Sequence, residues 1–477
     1  MAETIKKHVH FMGICGSGCA SIAMIASDAG YTVSGCDQSA DSYYAGELKK
    51  KGIPIYVGHD KAHLTDDVDI VAVSPAIFDI NPDNEELLLA KEKGILMTWQ
   101  EFMGRYLQAD KRVIAISGTH GKTTTTFLTA EVLIDAGLDP TVEGGSVYKK
   151  WKIGGRSGSS DLFMCEADEF NRNFHHYKPE IAVLNNVEMD HPECYDSFEE
   201  LTESFAAFLK NSPKLKTVIL NGESFGAVEV LKQVRSCENV RKAHIIAFAH
   251  AYLPGLQIDG LEIEQVFYHT DKKSVSGTDF TVIRGAQEHH FKSAMFGEYN
   301  VSNALSAILI AWTLGVSDES ISGSLARFSG VGRRFDPVGT CMNVPVYDDY
   351  AHHPTEIRSV LTMCKEYFPE KKLIAVFEPH QVSRLRLMFD DYVSALKIAD
   401  RTVIAKTHLG REIHKNVTPI TEREWLAASD TFLHLEDPEA IRDEIVKKIS
   451  DSDCDMVIVI GAANSYKISR MLCETDN

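Results

Sequence analysis

Apolar residues along this chain come in short runs. Each run ends in a glycine-rich or acidic turn, and most are followed by a stretch with helical spacing. The first is IKKHVHFMGI (5–14), which reads as a strand. GICGSG follows, then CASIAMIASDAG with apolar residues three and four apart, then the strand-like YTVSGCD. DIVAVSPAI (69–77) and GILMTW (94–99) repeat the strand-and-turn pattern and close a unit near residue 108. KRVIAISGTHGKTTTTFLTAEVLIDAG opens a second unit of strand, glycine loop and helix. It continues through LFMCEAD (162–168), EIAVLNNV (180–187) and TVILNG (217–222), and YNVSNALSAILIAWTLG (299–315) predicts a late helix. The polar, strand-like stretch between about 250 and 290 predicts an antiparallel excursion. From Gly330 onward VPVYDDYAHHPTEI, KLIAVFEPH, RTVIAK and MVIVIGAANS restore the alternation of strand and helix. The pattern predicts three successive α/β domains with mainly parallel sheets, over 1–108, 109–329 and 330–477. The first and last read as Rossmann-like and the central one as a phosphate-loop domain.

Length agrees with this division, since 477 residues make about three domains at roughly 100–200 residues each. The 49 Lys+Arg against 68 Asp+Glu leave a formal charge of −19. That charge argues against nucleic acid and against an acidic membrane surface, both of which need a cationic face. Nucleotides remain compatible, because a few local cations and backbone amides suffice to hold phosphates. No run of about 18 apolar residues predicts a membrane span. The start, MAETIKKHVHFMGICGSG, runs straight into the first strand without a leader pattern, so a cytoplasmic protein is expected. The ten cysteines are scattered. Cys15 and Cys19 lie four apart with no second pair to complete a zinc site, and the set reads as free thiols of a reducing compartment.

Ser117-Gly118-Thr119-His120-Gly121-Lys122-Thr123-Thr124 carries the strongest chemistry. It follows an apolar strand and precedes a helix, the context a phosphate loop requires. The glycines let the backbone wrap closely, Lys122 can neutralise the β/γ-phosphates, and Thr123 can ligate magnesium. The usual pattern would place glycine at position 116, where this chain has Ile116, so the loop is a shortened variant. Gly13-Ile-Cys-Gly16-Ser17-Gly18 is a second glycine loop with dinucleotide-like context. Asp37 follows about twenty residues on, suited to a ribose or polar head group. Two different phosphate loops suggest one nucleotide as energy source and another as a handle on the substrate.

Glu166-Ala-Asp168-Glu169 and Asn186-Val-Glu188-Met-Asp190-His191 each stand at the end of an apolar strand. Carboxylates and a histidine beside a phosphate loop suit magnesium on a triphosphate. Glu166 and His191 are the candidates here; Asp168, Glu169 and Asp190 are more simply read as surface loop acids in an acidic chain. In the third unit Asp348-Asp349-Tyr350-Ala-His352-His353-Pro354 reads as a polar substrate loop, because no partner at suitable spacing makes the histidines a zinc site. An arginine of Gly332-Arg333-Arg334-Phe335 can reach a γ-phosphate, and Arg384 can clamp a carboxylate.

SGTHGKTTTT, EADE, NNVEMDH, YNVSNALSA, GVGRRFD, DDYAHHPTE and EPHQVSR occur in this order. As a set they resemble the Mur ligase family of peptidoglycan precursor synthesis, over nearly the whole chain from GICGSG to GAANS. The resemblance implies an ATP-dependent, ADP-forming amide ligase. Within the family the best fit is to the member that adds L-alanine to UDP-N-acetylmuramate; the alternative is the murein tripeptide ligase of cell-wall recycling. It further implies that Gly13, Gly16, Ser17, Gly18, Asp37, His59 and Ser74 line the UDP-sugar site. Gly118, Thr119, His120, Gly121, Lys122, Thr123 and Thr124 would hold ATP, with Asn300 and Asn303 at the adenine and Arg334 and Asp349 reaching in from the third domain. Thr123, Glu166 and His191 would be the Mg2+ ligands. His353 and Arg384 would place the amino acid, so that Lys122, Glu166, His191, Arg334, His353 and Arg384 form the catalytic set. A monomer or homodimer is expected. The family's adenine motif carries histidine where this chain has Tyr299. GICG is commoner in the tripeptide ligase, whereas EPHQVSR favours the alanine-adding enzyme.

Overall fold

The computed structural model describes residues 7–274, 276–412 and 417–474; the outermost residues of the first and third predicted units lie outside these. The first sheet contains β1 (His8–Met12), β2 (Thr32–Asp37), β3 (Ile55–Val57), β4 (Val68–Val73) and β5 (Leu96–Thr98). Its order is β3-β2-β1-β4-β5 with every pairing parallel. The chain moves outward on one side from β1 and returns on the other at β4. The reversal opens a crevice at the carboxyl ends of these two strands. Gly13 and Ser74 stand there, so close that a Cβ on Gly13 would lie 2.9 Å from Ser74 Cβ.

The second sheet has ten strands: β6 (Arg112–Ser117), β7 (Thr141–Tyr148), β8 (Ile153–Arg156), β9 (Leu162–Ala167), β10 (Ile181–Leu184), β11 (Thr217–Asn221), β12 (His244–Ala249), β13 (Ile263–Ser274), β14 (Gly277–Arg284) and β15 (Gln287–Ser293). Their order is β15-β14-β13-β12-β11-β10-β6-β9-β7-β8. The predicted antiparallel excursion is β13-β14-β15. β6 lies between β9 and β10, parallel to both, with Ser117 opposite Ala167 on one side and Leu184 on the other. The turns after these three strands therefore meet at one edge. Helices Lys122–Asp135 and Glu298–Thr313 cover the sheet above them, burying Phe127, Leu128, Val132, Leu305, Ile308 and Leu309 in one core. In the first of these helices Lys122 is followed by four threonines, which have low helix propensity. Its packing holds it instead: Thr124, Thr125, Thr126 and Thr129 are all buried.

The third sheet, in order β16-β17-β21-β18-β19-β20, is formed by β16 (Asp336–Cys341), β17 (Val344–Asp349), β18 (Leu373–Phe377), β19 (Arg401–Ile404), β20 (Phe432–His434) and β21 (Met456–Ile460). It is parallel except for the hairpin that adds β16 at one edge. The chain is thus three α/β units with mainly parallel sheets, as the sequence pattern predicts. No helix among the described residues is long and apolar enough to cross a membrane. Cys15, Cys19, Cys36, Cys165, Cys364 and Cys454 are buried free thiols.

Candidate active site

Between β6 and its helix the chain turns through Gly118 (φ +136°) and Gly121 (φ +80°). A Cβ on Gly121 would meet Asn303 Oδ1 at 2.2 Å, so this position accepts only glycine. The helix that follows has no side-chain cap, which leaves its first backbone donors available to an anion. Lys122 Nζ donates to Glu169 Oε2 at 2.8 Å and to the carbonyls of Gly118 and Thr119. Burial opposes its charge, but Glu169, Asp168 and Glu166 outweigh burial and hold the ammonium above the ordinary lysine range. His120 donates its backbone N–H to Asn186 Oδ1 at 2.7 Å. Its ring lies between Glu188 and Glu356, and these carboxylates overcome burial to push the imidazole up to about 9.

Three acids, Glu166, Asp168 and Glu169, gather around Lys122, and a fourth, Glu143, stands behind Glu166. Glu166, on β9, accepts the Gly145 N–H at 2.7 Å; burial raises its pKa against that bond, Lys122 and Thr123. Glu143, on β7, is buried beside it, and burial together with Glu166 and Asp168 lifts it well above the carboxylate range. Asp168, Glu169 and His191 bring one donor atom each within 4.8 Å of one another. Glu169 is 1% exposed, and its Oε1 has no hydrogen-bond partner among the described residues.

Two cavities flank this cluster. One of 350 Å³ lies between the first and central units, lined by Gly16, Ser17, Gly18 and Ser74 on one side and Glu143, Glu166 and Asp168 on the other. The second, of 610 Å³, lies between the central and third units. His120, Gly121 and Thr124 form its floor, Tyr299, Asn300 and Asn303 one wall, and Arg334 and Asp349 the side facing the third unit. Phe198, Phe225 and Tyr268 add an aromatic rim, with the two phenylalanines stacked at 6.0 Å. Asn303 Nδ2 donates to Asn300 Oδ1 at 3.2 Å, and its Oδ1 accepts from Thr125 at 3.2 Å, so it also braces the loop from behind.

The third unit is closed against the central one. Thr355 Oγ1 donates to Glu188 at 2.6 Å, and His353 Nε2 donates to the Met189 carbonyl at 3.2 Å while its Nδ1 accepts the Thr355 N–H. Those two bonds fix the tautomer of a neutral ring. Asp349 accepts from Phe335 N at 2.7 Å and Ala351 N at 2.8 Å; burial nevertheless raises its carboxyl to about 6. Arg384 Nε lies 2.8 Å from Asp190 Oδ1, with side chains 2% and 6% exposed. Arg384 Nη1 is buried without a hydrogen-bond partner among the described residues.

Most of the residues expected from sequence meet in this region, with three differences. The Thr123, Glu166 and His191 set divides. Glu166 is held on its strand by Gly145 of β7, whereas His191 converges with Asp168 and Glu169 in the turns beyond the strand ends. Those two acids meet His191 there and Asp190 is buried against Arg384, so none of the three stands on an open surface loop. His59 does not line the cavity at Gly16 and Ser74; its ring turns into the first unit, with Nδ1 3.0 Å from Cys36 Sγ. Asp37 supports the glycine loop from behind by accepting the Cys15 N–H at 2.9 Å. Of the arginine pair, Arg333 is bound to Asp348, Gly461 and Ser465, leaving Arg334 to face the cavity. Glu143 and the aromatic rim have no signature in sequence, because strand partners and side-chain direction alone bring them there.

Three models of one family match the chain in order: "Mur ligase family, catalytic domain" over residues 8–111, "Mur ligase middle domain" over 116–311 and "Mur ligase, glutamate ligase domain" over 333–463. The UDP-N-acetylmuramate–L-alanine ligase of Aquifex aeolicus (strain VF5) is 34% identical over 467 residues, covering 98% of this chain and 97% of that protein. The protein of the same name from Clostridium novyi (strain NT) is 34% identical over 473 residues, 98% of each. Among solved structures, the UDP-N-acetylmuramate-alanine ligase of Thermotoga maritima superposes with TM-score 0.74 at 24% identity, covering 98% of both chains. A murein peptide ligase from Psychrobacter arcticus 273-4 superposes with TM-score 0.69 at 24% identity, also over 98% of both, so the fold is common to the two activities.

Proposed function

The chain belongs to the Mur ligase family, and on that footing we propose that it joins L-alanine to the lactyl carboxylate of UDP-N-acetylmuramate, converting ATP to ADP and phosphate through an acyl phosphate. A carboxylate and an amine form only a salt at neutral pH, because the oxygen is a poor leaving group. Transfer of the γ-phosphoryl group to the carboxylate supplies a better one. The observation that carries this reading is the meeting of the β6, β9 and β10 ends around Lys122, beside a cavity that reaches Gly16–Gly18 and Ser74 of the first unit.

In this reading residues 1–108 hold the UDP-sugar, 109–329 hold ATP and 330–477 bring the amino acid. Ser17 and Gly18 offer backbone donors to the pyrophosphate, with Gly13 (whose carbonyl takes the Gly16 N–H) and Asp37 shaping the loop and Ser74 facing it. Gly118, Thr119, Gly121, Thr123 and Thr124 wrap the triphosphate, and Asn300 and Asn303 sit toward the base with Tyr299. Lys122 and Arg334 offset the repulsion between carboxylate and γ-phosphate. Arg384 Nη1, buried and unpartnered, is suited to the carboxylate of the incoming amino acid, with His353 beside it. The closed third unit excludes water that would hydrolyse the acyl phosphate.

The donor set fits magnesium: Glu166, Asp168 and Glu169 face Lys122, Asp168 and Glu169 also face His191, Glu143 stands buried behind Glu166, and the buried Glu169 Oε1 has no hydrogen-bond partner among the described residues. Asp168, Glu169 and His191, whose donor atoms converge, would hold it, with Thr123 and Glu166 paired beside them at the strand end. When bound, it would neutralise charge on the transferring phosphoryl group.

ADP release measured with UDP-N-acetylmuramate and a panel of amino acids and peptides tests the assignment. Turnover is expected with L-alanine and to a lesser extent with serine or glycine. Turnover with the murein tripeptide and none with free L-alanine would assign the chain to the recycling reaction instead.

A further inference from the structure

A second cluster of ligating side chains lies away from this site, inside the first unit. His10 on β1, Cys36 on β2, His63 in the single turn Lys61–His63 and Glu86 in the helix Glu85–Glu92 bring one donor atom each within 4.8 Å of one another. His10, Cys36 and Glu86 are fully buried, and the His63 side chain is 14% exposed. His10 Nε2 lies 3.0 Å from Glu86 Oε1, His63 Nδ1 lies 3.3 Å from the same oxygen, and Cys36 Sγ lies 3.2 Å from Glu86 Oε2. His59 Nδ1 stands behind, 3.0 Å from Cys36 Sγ.

From this geometry we infer a zinc-type metal site formed by His10, Cys36, His63 and Glu86, separate from the catalytic centre and from any magnesium held there.

Three observations carry it. The first is spacing. A tetrahedral zinc ion with bonds of about 2.0–2.1 Å to N and O and about 2.3 Å to S has ligand–ligand edges of about 3.3–3.6 Å. The three separations to Glu86, 3.0, 3.3 and 3.2 Å, come within a few tenths of an ångström of such edges, and all four donor atoms lie within 4.8 Å of one another. The second is hydrogen bonding. His10 Nε2 is buried with no properly directed hydrogen bond, while its Nδ1 is held by Ser34 Oγ at 2.8 Å. This is how a metal-binding imidazole is oriented from behind. His63 Nδ1 lies 3.3 Å from Glu86 Oε1 and 3.4 Å from the Asp60 N–H, so it too is aimed into the cluster. The third is charge. Glu86 is a fully buried carboxylate whose ion-pair partners among the described residues are histidines only, with no lysine or arginine. Thiolate, imidazole and carboxylate together select zinc, with cobalt(II) as its spectroscopic substitute, over magnesium or calcium.

Such an ion would tie β1, β2, the 61–63 turn and the 85–92 helix together. Its Cys36 ligand is a floor residue of the first glycine loop, because the Cys36 carbonyl accepts the Gly13 N–H at 2.8 Å and the Ile14 N–H at 3.1 Å. Metal loading would therefore stiffen the UDP-sugar side of the enzyme.

The test uses the full chain, stripped with chelator and titrated with zinc chloride or cobalt chloride in excess magnesium. One equivalent of zinc should be retained through gel filtration and raise the melting temperature. Cobalt(II) should give a thiolate-to-metal charge-transfer band together with tetrahedral d–d bands. Cys36→Ser should abolish the charge-transfer band, and both it and His63→Ala, which alters a partly exposed side chain, should weaken zinc binding at least tenfold. His191→Ala, in the catalytic cluster, should leave the cobalt spectrum unchanged. The proposal is overturned if the wild-type chain retains no stoichiometric zinc. It is equally overturned if folded Cys36→Ser and His63→Ala chains bind as the wild type does, or if His191→Ala removes the signal.

Discussion

Lys122→Ala should lower kcat by roughly 10²–10³-fold or more while the first domain still binds the UDP-sugar. Lys122 is the cation at the start of the helix Lys122–Asp135, and it stands among Glu166, Asp168 and Glu169. Losing a single preorganised donor to developing charge typically costs about 10²–10³ in kcat. Here the cost is compounded, because Glu169, 1% exposed, loses its Nζ partner at 2.8 Å. An uncompensated buried charge costs about 3–5 kcal/mol, so the variant should also melt earlier. Steady-state ADP formation, a thermal melt and a direct UDP-sugar titration separate the effects. Retained UDP-sugar affinity in a folded, inactive chain is the expected combination. Loss of both turnover and UDP-sugar affinity would contradict the division of labour between the first two domains.

Arg384→Ala should be nearly as severe, with its effect on the amino acid. Arg384 and Asp190 form a buried ion pair that joins the third domain to the turn after β10. Removing the guanidinium leaves Asp190 enclosed and unpaired in the closed form, a penalty of about 3 kcal/mol or more, equivalent to about two orders of magnitude. It also removes the free Nη1 proposed to receive the amino-acid carboxylate. The KM for L-alanine should rise at least about 10²-fold, and kcat should fall because closure is disfavoured. Arg384→Lys should rescue little, since a point charge cannot serve Asp190 and a ligand carboxylate with one planar fork. The KM for ATP, whose loop lies wholly in the central domain, should change far less. An unchanged KM for L-alanine in the folded alanine variant would remove Arg384 from the amino-acid site.

The turn Gly118–Lys122 was legible in the sequence because a strand, two glycines and a lysine within a few residues force one geometry on the backbone. The three-domain order was legible for a similar reason: each strand–turn–helix unit repeats on its own scale. What could not be read depends on strand neighbours. Asp168 and Glu169 resemble surface acids until β10 is placed two strands from β9, across β6, which brings His191 beside them. Glu143 enters the site only because β7 pairs with β9. His59 shows the limit of a motif, which gives a position along the chain and says nothing about which way the ring turns. The His10, Cys36, His63 and Glu86 cluster draws on four separate elements, so no spacing rule for metal ligands could have found it.

The loop around Lys122 is expected to deliver a phosphoryl group to a carboxylate of the sugar substrate. Following the oxygen tests it most directly. UDP-N-acetylmuramate labelled with 18O in both oxygens of the lactyl carboxylate is turned over with ATP and L-alanine, and the released phosphate is analysed by mass. If the carboxylate attacks the γ-phosphorus and the amine then expels phosphate from the acyl carbon, one labelled oxygen leaves in each phosphate and the other stays in the amide. Phosphate carrying no label from the carboxylate would contradict the account.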